Sequence, residues 1–102
     1  MIGYKVFSPS WKAVKGNSVF QYEVGKAYEE EGKPCVARHG FHFCKNLIDC
    51  FSYYGIEVHN RVALIEAYGE IDEKRNACAT NKIKIIKEIP WKDIPDILER
   101  QV

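Results

Sequence analysis

The segment 38–55 concentrates side chains that could do chemistry. It reads RHGFHFCKNLIDCFSYYG and holds two histidines, two cysteines and five aromatic residues. Zinc prefers thiolate and imidazole ligands, and four residues of these types lie in or next to the segment: Cys35, His39, His42 and Cys44. Their spacing, C-x3-H-x2-H-x-C, lacks the C-x2-C pair that presents two thiolates on one turn. A zinc site is therefore the weaker hypothesis, and buried thiols at Cys44 and Cys50 are the stronger one.

Glu66 is a second candidate, because it interrupts an almost continuous apolar run over residues 61–69. Such a run is typical of a central strand that is covered on both faces. A carboxylate buried there must find a partner or hold a raised pKa. We expect either a Glu66 that binds a ligand or acts in catalysis, or one near the exposed end of its strand that pairs with Arg61, Arg38 or a lysine.

Aromatic residues form a third candidate: Tyr22, Tyr28, Phe41, Phe43, Tyr53 and Tyr54. Core packing is the prediction for most of them. Tyr53 falls outside the apolar stripe of its helix, and an exposed ring could stack on a base or a nicotinamide, or anchor a partner protein. Together with the candidates named above, the predicted ligand-binding residues are Tyr22, Arg38, His42, Tyr53 and Glu66.

Two helices are predicted to position these residues. Leu47, Cys50, Phe51 and Tyr54 recur at helical spacing, which predicts a mid-chain helix at about 46–54 that begins at Asn46, ends at Gly55 and turns this stripe toward the core. A second helix is predicted at about 93–100, with Asp93 as its cap and Pro95 in its first turn.

The rest of the chain is predicted to be largely extended. Alternation or apolar runs predict strands at 4–7, 35–37, 40–44, 61–69 and 82–87, with short extended segments and turns between 12 and 34. The polar stretch 72–80 favours a mobile loop. The strand at 82–87 presents Lys82, Lys84 and Lys87 outward, as expected near a sheet edge. The fold class is α+β: one domain over residues 1–102, with a twisted, mainly antiparallel sheet and two helices.

Composition narrows the function classes. Fifteen basic and fourteen acidic residues give a net charge of +1 over 102 residues, so the basic surface of a dedicated nucleic-acid binder is missing. The three lysines of 82–87 are interpreted as a solubilised edge. No signal peptide or membrane span is predicted, so we expect a cytoplasmic protein whose four cysteines stay reduced. The glycine-rich phosphate loops and the G-x-S-x-G elbow are also missing from the sequence.

Four motifs in order resemble a known domain: FQYEVGKAY, GFHFCKN with a later YY, RVALIEAYGEI and TNKIKIIKEI. Between Tyr4 and Ile89 the chain is similar to a small uncharacterised domain that is common in phage and prophage genomes. The resemblance implies an intracellular protein of phage origin and brings no assigned activity.

A further resemblance concerns ADP-ribosyltransferases of the poly-ADP-ribose polymerase type. In that family a strand ending in G-[IL]-Y-F leads into a helix that ends in tyrosine, and here GFHF and the helix ending Tyr53-Tyr54 look like these parts. The resemblance implies Glu66 as the catalytic carboxylate and one of the two tyrosines as the ring that stacks on NAD. The first strand, YKVFS, lacks the histidine-glycine or arginine that holds NAD in that family.

These observations predict a small binding protein of phage or prophage origin in the host cytoplasm. It would inhibit or sequester a host protein or a nucleotide signal, as counter-defence proteins do, and it would need no cofactor. The alternative is an NAD-dependent enzyme similar to ADP-ribosyltransferases, with Glu66 at its centre.

Overall fold

Strands dominate the computed structural model, which describes residues 1–16 and 18–101. The strands are β1 (Ile2–Phe7), β2 (Lys12–Lys15), β3 (Ser18–Gln21), β4 (Ala27–Glu29), β5 (Phe41–Phe43), β6 (Arg61–Ala67), β7 (Ile71–Lys74), β8 (Ala77–Thr80) and β9 (Lys82–Glu88). Helix α1 spans Leu47–Tyr54, and a 3-10 turn at Trp91–Asp93 leads into α2 (Ile94–Arg100). None of the helices in the described ranges is long and apolar enough to cross a membrane.

All strand pairs in the described part of the chain are antiparallel. The largest sheet has the order β1-β6-β9-β4, a second has the order β5-β8-β7, and β2 and β3 form a hairpin. The predicted single sheet is therefore corrected to three. The free edge of β1 is covered where Tyr4 pairs with Cys44, just after β5: each residue's N–H donates to the other's carbonyl, at 2.8 and 3.0 Å. This pair joins the two larger sheets.

The main sheet separates two hydrophobic clusters. Phe7, Ala63 and Ile65 belong to the first cluster, whereas Val6 and Val62 belong to the second, which α1 and α2 cover. Alternation along β1 and β6 thus buries both faces of these strands. The prediction of a central strand at 61–69 is confirmed, since β6 lies between β1 and β9.

The sheets approach each other closely at Gly3. A Cβ atom placed there would lie 2.6 Å from a ring carbon of Phe43 and 2.8 Å from the carbonyl oxygen of Cys44. Only glycine leaves room for this contact, so the sequence of β1 is fitted to the end of β5.

Both predicted helices are confirmed to within one residue at each end. Their caps differ from the prediction: neither Asn46 nor Asp93 makes a side-chain capping hydrogen bond. Instead the side chain of Gln101 accepts a hydrogen bond from the Leu47 N–H at 2.8 Å, so that the C-terminal residues cap α1. Gly55 ends α1 with φ 68° and its N–H bonded to the carbonyl oxygen of Phe51. The described residues together form one compact, strand-dominated α+β domain.

Two predictions about extended segments and loops are wrong. Residues 35–37 form a turn, because Ala37 has φ 70° and the Cys35 N–H bonds to the carbonyl of His39. The stretch 72–80 contains the hairpin β7–β8 instead of a mobile loop, and Arg75 reaches φ 56° at its tight connection. The strand predicted near a sheet edge at 82–87 is β9, which only the three-residue strand β4 separates from the edge of the main sheet.

Candidate functional site

Lys5 is the most unusual residue of the interior. Its side chain lies among aromatic rings and only 3% of the residue is exposed. The ammonium donates to the carbonyl oxygen of His42 at 2.5 Å and lies 5.8 and 5.5 Å from the ring centroids of Phe7 and Tyr22. No carboxylate pairs with it in residues 1–16 and 18–101. Burial lowers the pKa of Lys5 to about 8, because the charged form loses its hydration.

The alternation of strand β1 places the Lys5 side chain on a buried face. Lys5 pairs with Ala63 of β6 and shares its strand face with Gly3 and Phe7, both buried. Sequence reasoning missed Lys5, although its phase with Phe7 was a usable signal. A lysine two residues from a core phenylalanine on the same strand either extends to solvent or brings its charge inside, and here it does the latter.

His42 is fixed next to Lys5 as a neutral imidazole. Its Nδ1–H donates to the carbonyl oxygen of Gly40 at 3.2 Å, and its Nε2 accepts the Ala37 N–H at 2.8 Å. Burial, followed by the neighbouring charge of Lys5, lowers the pKa of His42. Both ring nitrogens are therefore occupied by backbone groups, and a ligand would have to displace one of them.

Tyr22 lies next to Lys5 and is almost completely buried. Its ring centroid is 5.1 Å from that of Phe7 and 6.3 Å from that of Phe41. Burial raises the pKa of its hydroxyl. Of the predicted ligand-binding residues, the structure thus places Tyr22 and His42 near Lys5: the Tyr22 ring lies in the core, whereas His42 is partly buried and contacts Lys5 through its backbone carbonyl.

The other predicted ligand-binding residues, Arg38, Tyr53 and Glu66, lie on the surface. Glu66 points away from the core near the end of β6, where its neighbours across the sheet are Ile2 and Lys84. Glu66 is therefore not the buried carboxylate that the apolar run suggested. Glu66 forms no ion pair within the described ranges, and Arg61 pairs with Glu88 instead, at 3.1 Å.

The four potential zinc ligands do not converge. His39 Nε2 donates to the carbonyl of Glu31 at 2.8 Å, both nitrogens of His42 are occupied, and Cys44 lies in the second hydrophobic cluster with Cys50. In the part of the chain that the structure describes, no group of three or more histidine, cysteine or acidic residues is arranged to hold a metal ion. The prediction of buried thiols at Cys44 and Cys50 is confirmed.

Large apolar side chains are exposed on α1 and on the segment that follows it. We name this region the 48–58 surface, and its large apolar members are Ile48, Tyr53, Tyr54, Ile56 and Val58. Ile56 is 71% exposed. Tyr54, predicted to face the core, is 47% exposed because it is the last residue of α1 and the chain turns away at Gly55.

The charge of this segment has one sign. Residues 46–60 contain Asp49 and Glu57 but no lysine or arginine. Glu57 Oε1 accepts hydrogen bonds from the backbone N–H of His59 at 2.9 Å and from its Nδ1 at 2.6 Å. The backbone bond, then the side-chain bond, lowers the pKa of Glu57, so this carboxylate stays ionised. The 48–58 surface therefore combines apolar side chains with negative charge.

Hydrogen bonds hold the segment in place at both ends. Besides the bond from Leu47 to Gln101, the Asn60 N–H donates to the carbonyl of Glu57 at 3.0 Å, and the indole N–H of Trp91 donates to the carbonyl of Asn60 at 2.9 Å. A surface whose backbone is already fixed loses little conformational entropy when a partner binds.

The rest of the described surface contains weaker candidates for a binding site. A groove of about 320 Å³ between the end of β9 and α2 is lined by residues of both charges, among them Lys87, Asp93, Asp96 and Arg100. The β2–β3 hairpin exposes Val14 and Val19, which face each other across its strands.

A family model described as a domain of unknown function, DUF7666, matches residues 1–97. The chain belongs to this family. The DUF7666 match includes Lys5, both thiols of the second cluster and the whole 48–58 surface. No curated protein and no solved structure matches the chain. The resemblances to phage domains and to ADP-ribosyltransferases find no support in the DUF7666 match and stay predictions.

Proposed function

We propose that this chain is a small binding protein that docks a partner protein on the 48–58 surface. The observation that carries the proposal is the exposure of five large apolar side chains within eleven residues. Exposed apolar surface of this kind marks interaction sites in monomeric proteins. Tyrosine and isoleucine on a rigid backbone are also suitable anchors for a partner's pocket.

The charge of the segment defines the partner's chemistry. Asp49 and Glu57 border the apolar residues and no lysine or arginine lies between 46 and 60. The complementary partner is a protein with an apolar groove flanked by lysine or arginine side chains. The resemblance to a domain of phage and prophage genomes supports a host protein in the cytoplasm as this partner, with inhibition or sequestration as the outcome.

A matched pair of substitutions tests the proposal. Ile56 lies in the loop after α1 and is 71% exposed, whereas Val14 lies in β2 and is 70% exposed. Wild type and the two variants Ile56→Asp and Val14→Asp would each be used to isolate a binding protein from host cells, and the dissociation constant would then be measured with that protein purified. We expect Ile56→Asp to weaken binding by at least about tenfold and Val14→Asp to leave it unchanged.

Other outcomes would contradict the proposal. Equal losses in both variants would mean that the 48–58 surface is not the docking site. A dimer that sedimentation detects, and that Ile56→Asp dissociates, would show that the occupant is a second copy of the chain. Calorimetric binding of NAD or another nucleotide that Glu66→Gln abolishes would favour the transferase alternative, in which a carboxylate acts on the ribose.

A further inference from the structure

The outer edge of β4 is one of the two ends of the main sheet, and no strand pairs with it in the part of the chain that the structure describes. The carbonyl oxygen of Lys26 faces β9, where it accepts the N–H of Ile85 at 3.0 Å. Backbone groups alternate in direction along a strand, so the N–H and carbonyl groups of Ala27 and Glu29 point away from β9. Both residues are exposed. The edge therefore presents hydrogen-bonding groups that a further strand could take up.

A second copy of the chain matches this edge. When two β4 strands lie antiparallel with the two-fold axis at Tyr28, Ala27 of each copy faces Glu29 of the other. Each such pair exchanges both of its N–H···O bonds, because the groups concerned already point outward in both copies. A two-fold contact uses the same patch twice, so one self-complementary strand is sufficient to build it.

The charges beside this edge also favour a second copy. Lys84 is the cross-strand neighbour of Ala27 in β9; it is exposed and forms no ion pair with a described residue. Glu29 lies on the same face as Ala27, and its carboxylate is 3.9 Å from the ammonium of Lys82 in its own chain. In the paired sheet, Glu29 of the second copy would lie two strand spacings, about 9.6 Å, from Lys84, with only the small side chain of Ala27 between them. Extended lysine and glutamate side chains span this distance, so opposite charges meet across the two-fold axis.

We propose that two copies of the chain pair through β4 and form a dimer whose main sheets are continuous. Strand β4 has only three residues, so the dimer should be weak and populated at high protein concentration. Strand β1 forms the opposite edge of the sheet, and α1 packs against it. The dimer therefore leaves the 48–58 surface of each copy free to bind the proposed partner.

Sedimentation velocity between about 10 μM and about 1 mM tests for the dimer, and hydrogen exchange followed by NMR locates the contact. We expect the weight-average mass to rise with concentration. The amide hydrogens of Ala27 and Glu29 should exchange at least about twofold more slowly at the highest concentration than in dilute solution. A protein that stays monomeric throughout would overturn the proposal. So would a dimer in which these two amides exchange at an unchanged rate.

A matched pair of charge reversals tests the contact across the axis. Lys84 and Lys87 are both exposed in β9 and neither forms an ion pair within the described ranges, but only Lys84 lies next to β4. Lys84→Glu should raise the dissociation constant of the dimer by at least about fivefold, because the introduced carboxylate would face Glu29 of the second copy. Lys87→Glu makes the same change of net charge and should leave the constant within about twofold of the wild type. Equal effects of the two reversals would overturn the proposal.

A mixture of two variants gives the sharpest test. Glu29→Lys and Lys84→Glu should each dimerise poorly alone. An equimolar mixture should recover the wild-type dissociation constant to within about twofold, because both contacts across the axis again join opposite charges. No recovery in the mixture would overturn the proposal. Ile56→Asp should dimerise like the wild type, and loss of the dimer in this variant would assign the contact to the 48–58 surface instead.

Discussion

The interior around Lys5 and the 48–58 surface depart from the usual distribution of side chains in opposite directions. In the interior an ammonium group is buried with no carboxylate partner among the described residues, whereas on the surface Ile56 is largely in water. Burying a charge is unfavourable unless it is paired, and an exposed isoleucine forgoes about 2 kcal/mol of burial. Helix α1 and the main sheet lie between the two regions: α1 turns Ile48 outward and Leu47 into the second cluster, whereas Lys5 contacts Phe7 of the first cluster.

The two departures have separate physical explanations. A partner protein that covers the 48–58 surface would recover the missing apolar burial, so this departure is explained by binding. Nothing outside the molecule can reach Lys5 without opening the core, so its charge acts on the groups that surround it. Local rules of folding are most often broken at functional sites, and here each region breaks a different rule.

The largest expected effect separates the two sides of α1. Leu47 is 0% and its neighbour Ile48 is 51% exposed. Leu47→Ala should lower the free energy of unfolding by about 3 kcal/mol, because a buried cavity is left. Ile48→Ala should change it by less than about 0.5 kcal/mol. Urea unfolding of both variants measures the contrast, and similar losses would mean that Ile48 is covered in the free protein.

A substitution at Lys5 should stabilise the protein, in contrast to Leu47→Ala. A pKa of about 8 for Lys5, against an ordinary 10.5, corresponds to about 3 kcal/mol of unfavourable free energy for the buried charge. Lys5→Met removes this term but leaves the carbonyl of His42 without its donor, at about 1 kcal/mol. We therefore expect Lys5→Met to raise the free energy of unfolding at pH 7 by about 1–2 kcal/mol.

The pH dependence distinguishes relief of charge from better packing. The folded pKa lies below the unfolded one, so the unfolded chain holds the additional proton between about pH 8 and 10.5. Wild-type stability should rise with pH in this window relative to Lys5→Met, and the advantage of the variant should shrink. A constant difference between the two proteins across the window would show that the ammonium is well solvated in the folded state.

Periodicity was sufficient to predict the elements that carry long apolar patterns. The stripe at Leu47, Cys50 and Phe51 located α1, and the apolar run before Gly69 located β6. The hairpin β7–β8 was not predicted because its strands are short and lack an apolar pattern. Strand β7 is mostly charged, and β8 reads Ala-Cys-Ala-Thr. Its burial comes from neighbouring strands that are distant in the sequence, and no local pattern encodes that.

The candidate sites were predicted less well than the fold. Tyr53 was correctly expected to point away from the core. Glu66 was expected either in the core or near the exposed end of its strand. Its side chain is exposed, and its neighbours Ile65 and Ala67 are the residues of the strand that lie in the core. Lys5 was missed because a lysine on a strand usually extends its stem to water. The packing of Phe7 and Tyr22 around Lys5 keeps its ammonium from reaching water, and this packing is visible only in three dimensions.

A smaller effect is expected from His42 on the acid side. Its folded pKa lies below the ordinary 6.5, so the unfolded chain takes up a proton first as the pH falls below that value. The stability that the neutral ring contributes is fully present above pH 6.5 and is lost below it. The wild type should therefore lose more stability than His42→Gln between pH 7 and the folded pKa. Parallel acid unfolding curves for the two proteins would contradict the hydrogen bonds assigned to Ala37 and Gly40.

The smallest effect concerns the charge that borders the 48–58 surface. Glu57→Gln keeps an oxygen that accepts the hydrogen bond from the backbone of His59 but removes the negative charge. Exposed charges at the border of an interface mainly steer association. The association rate with the partner isolated on this surface should fall by about twofold to fivefold at low salt, and the difference should vanish at high salt. A dissociation rate that changes while the association rate does not would place Glu57 in the buried centre of the interface, where its contact with His59 would have to break. Both regions would then contain a charge that is removed from water.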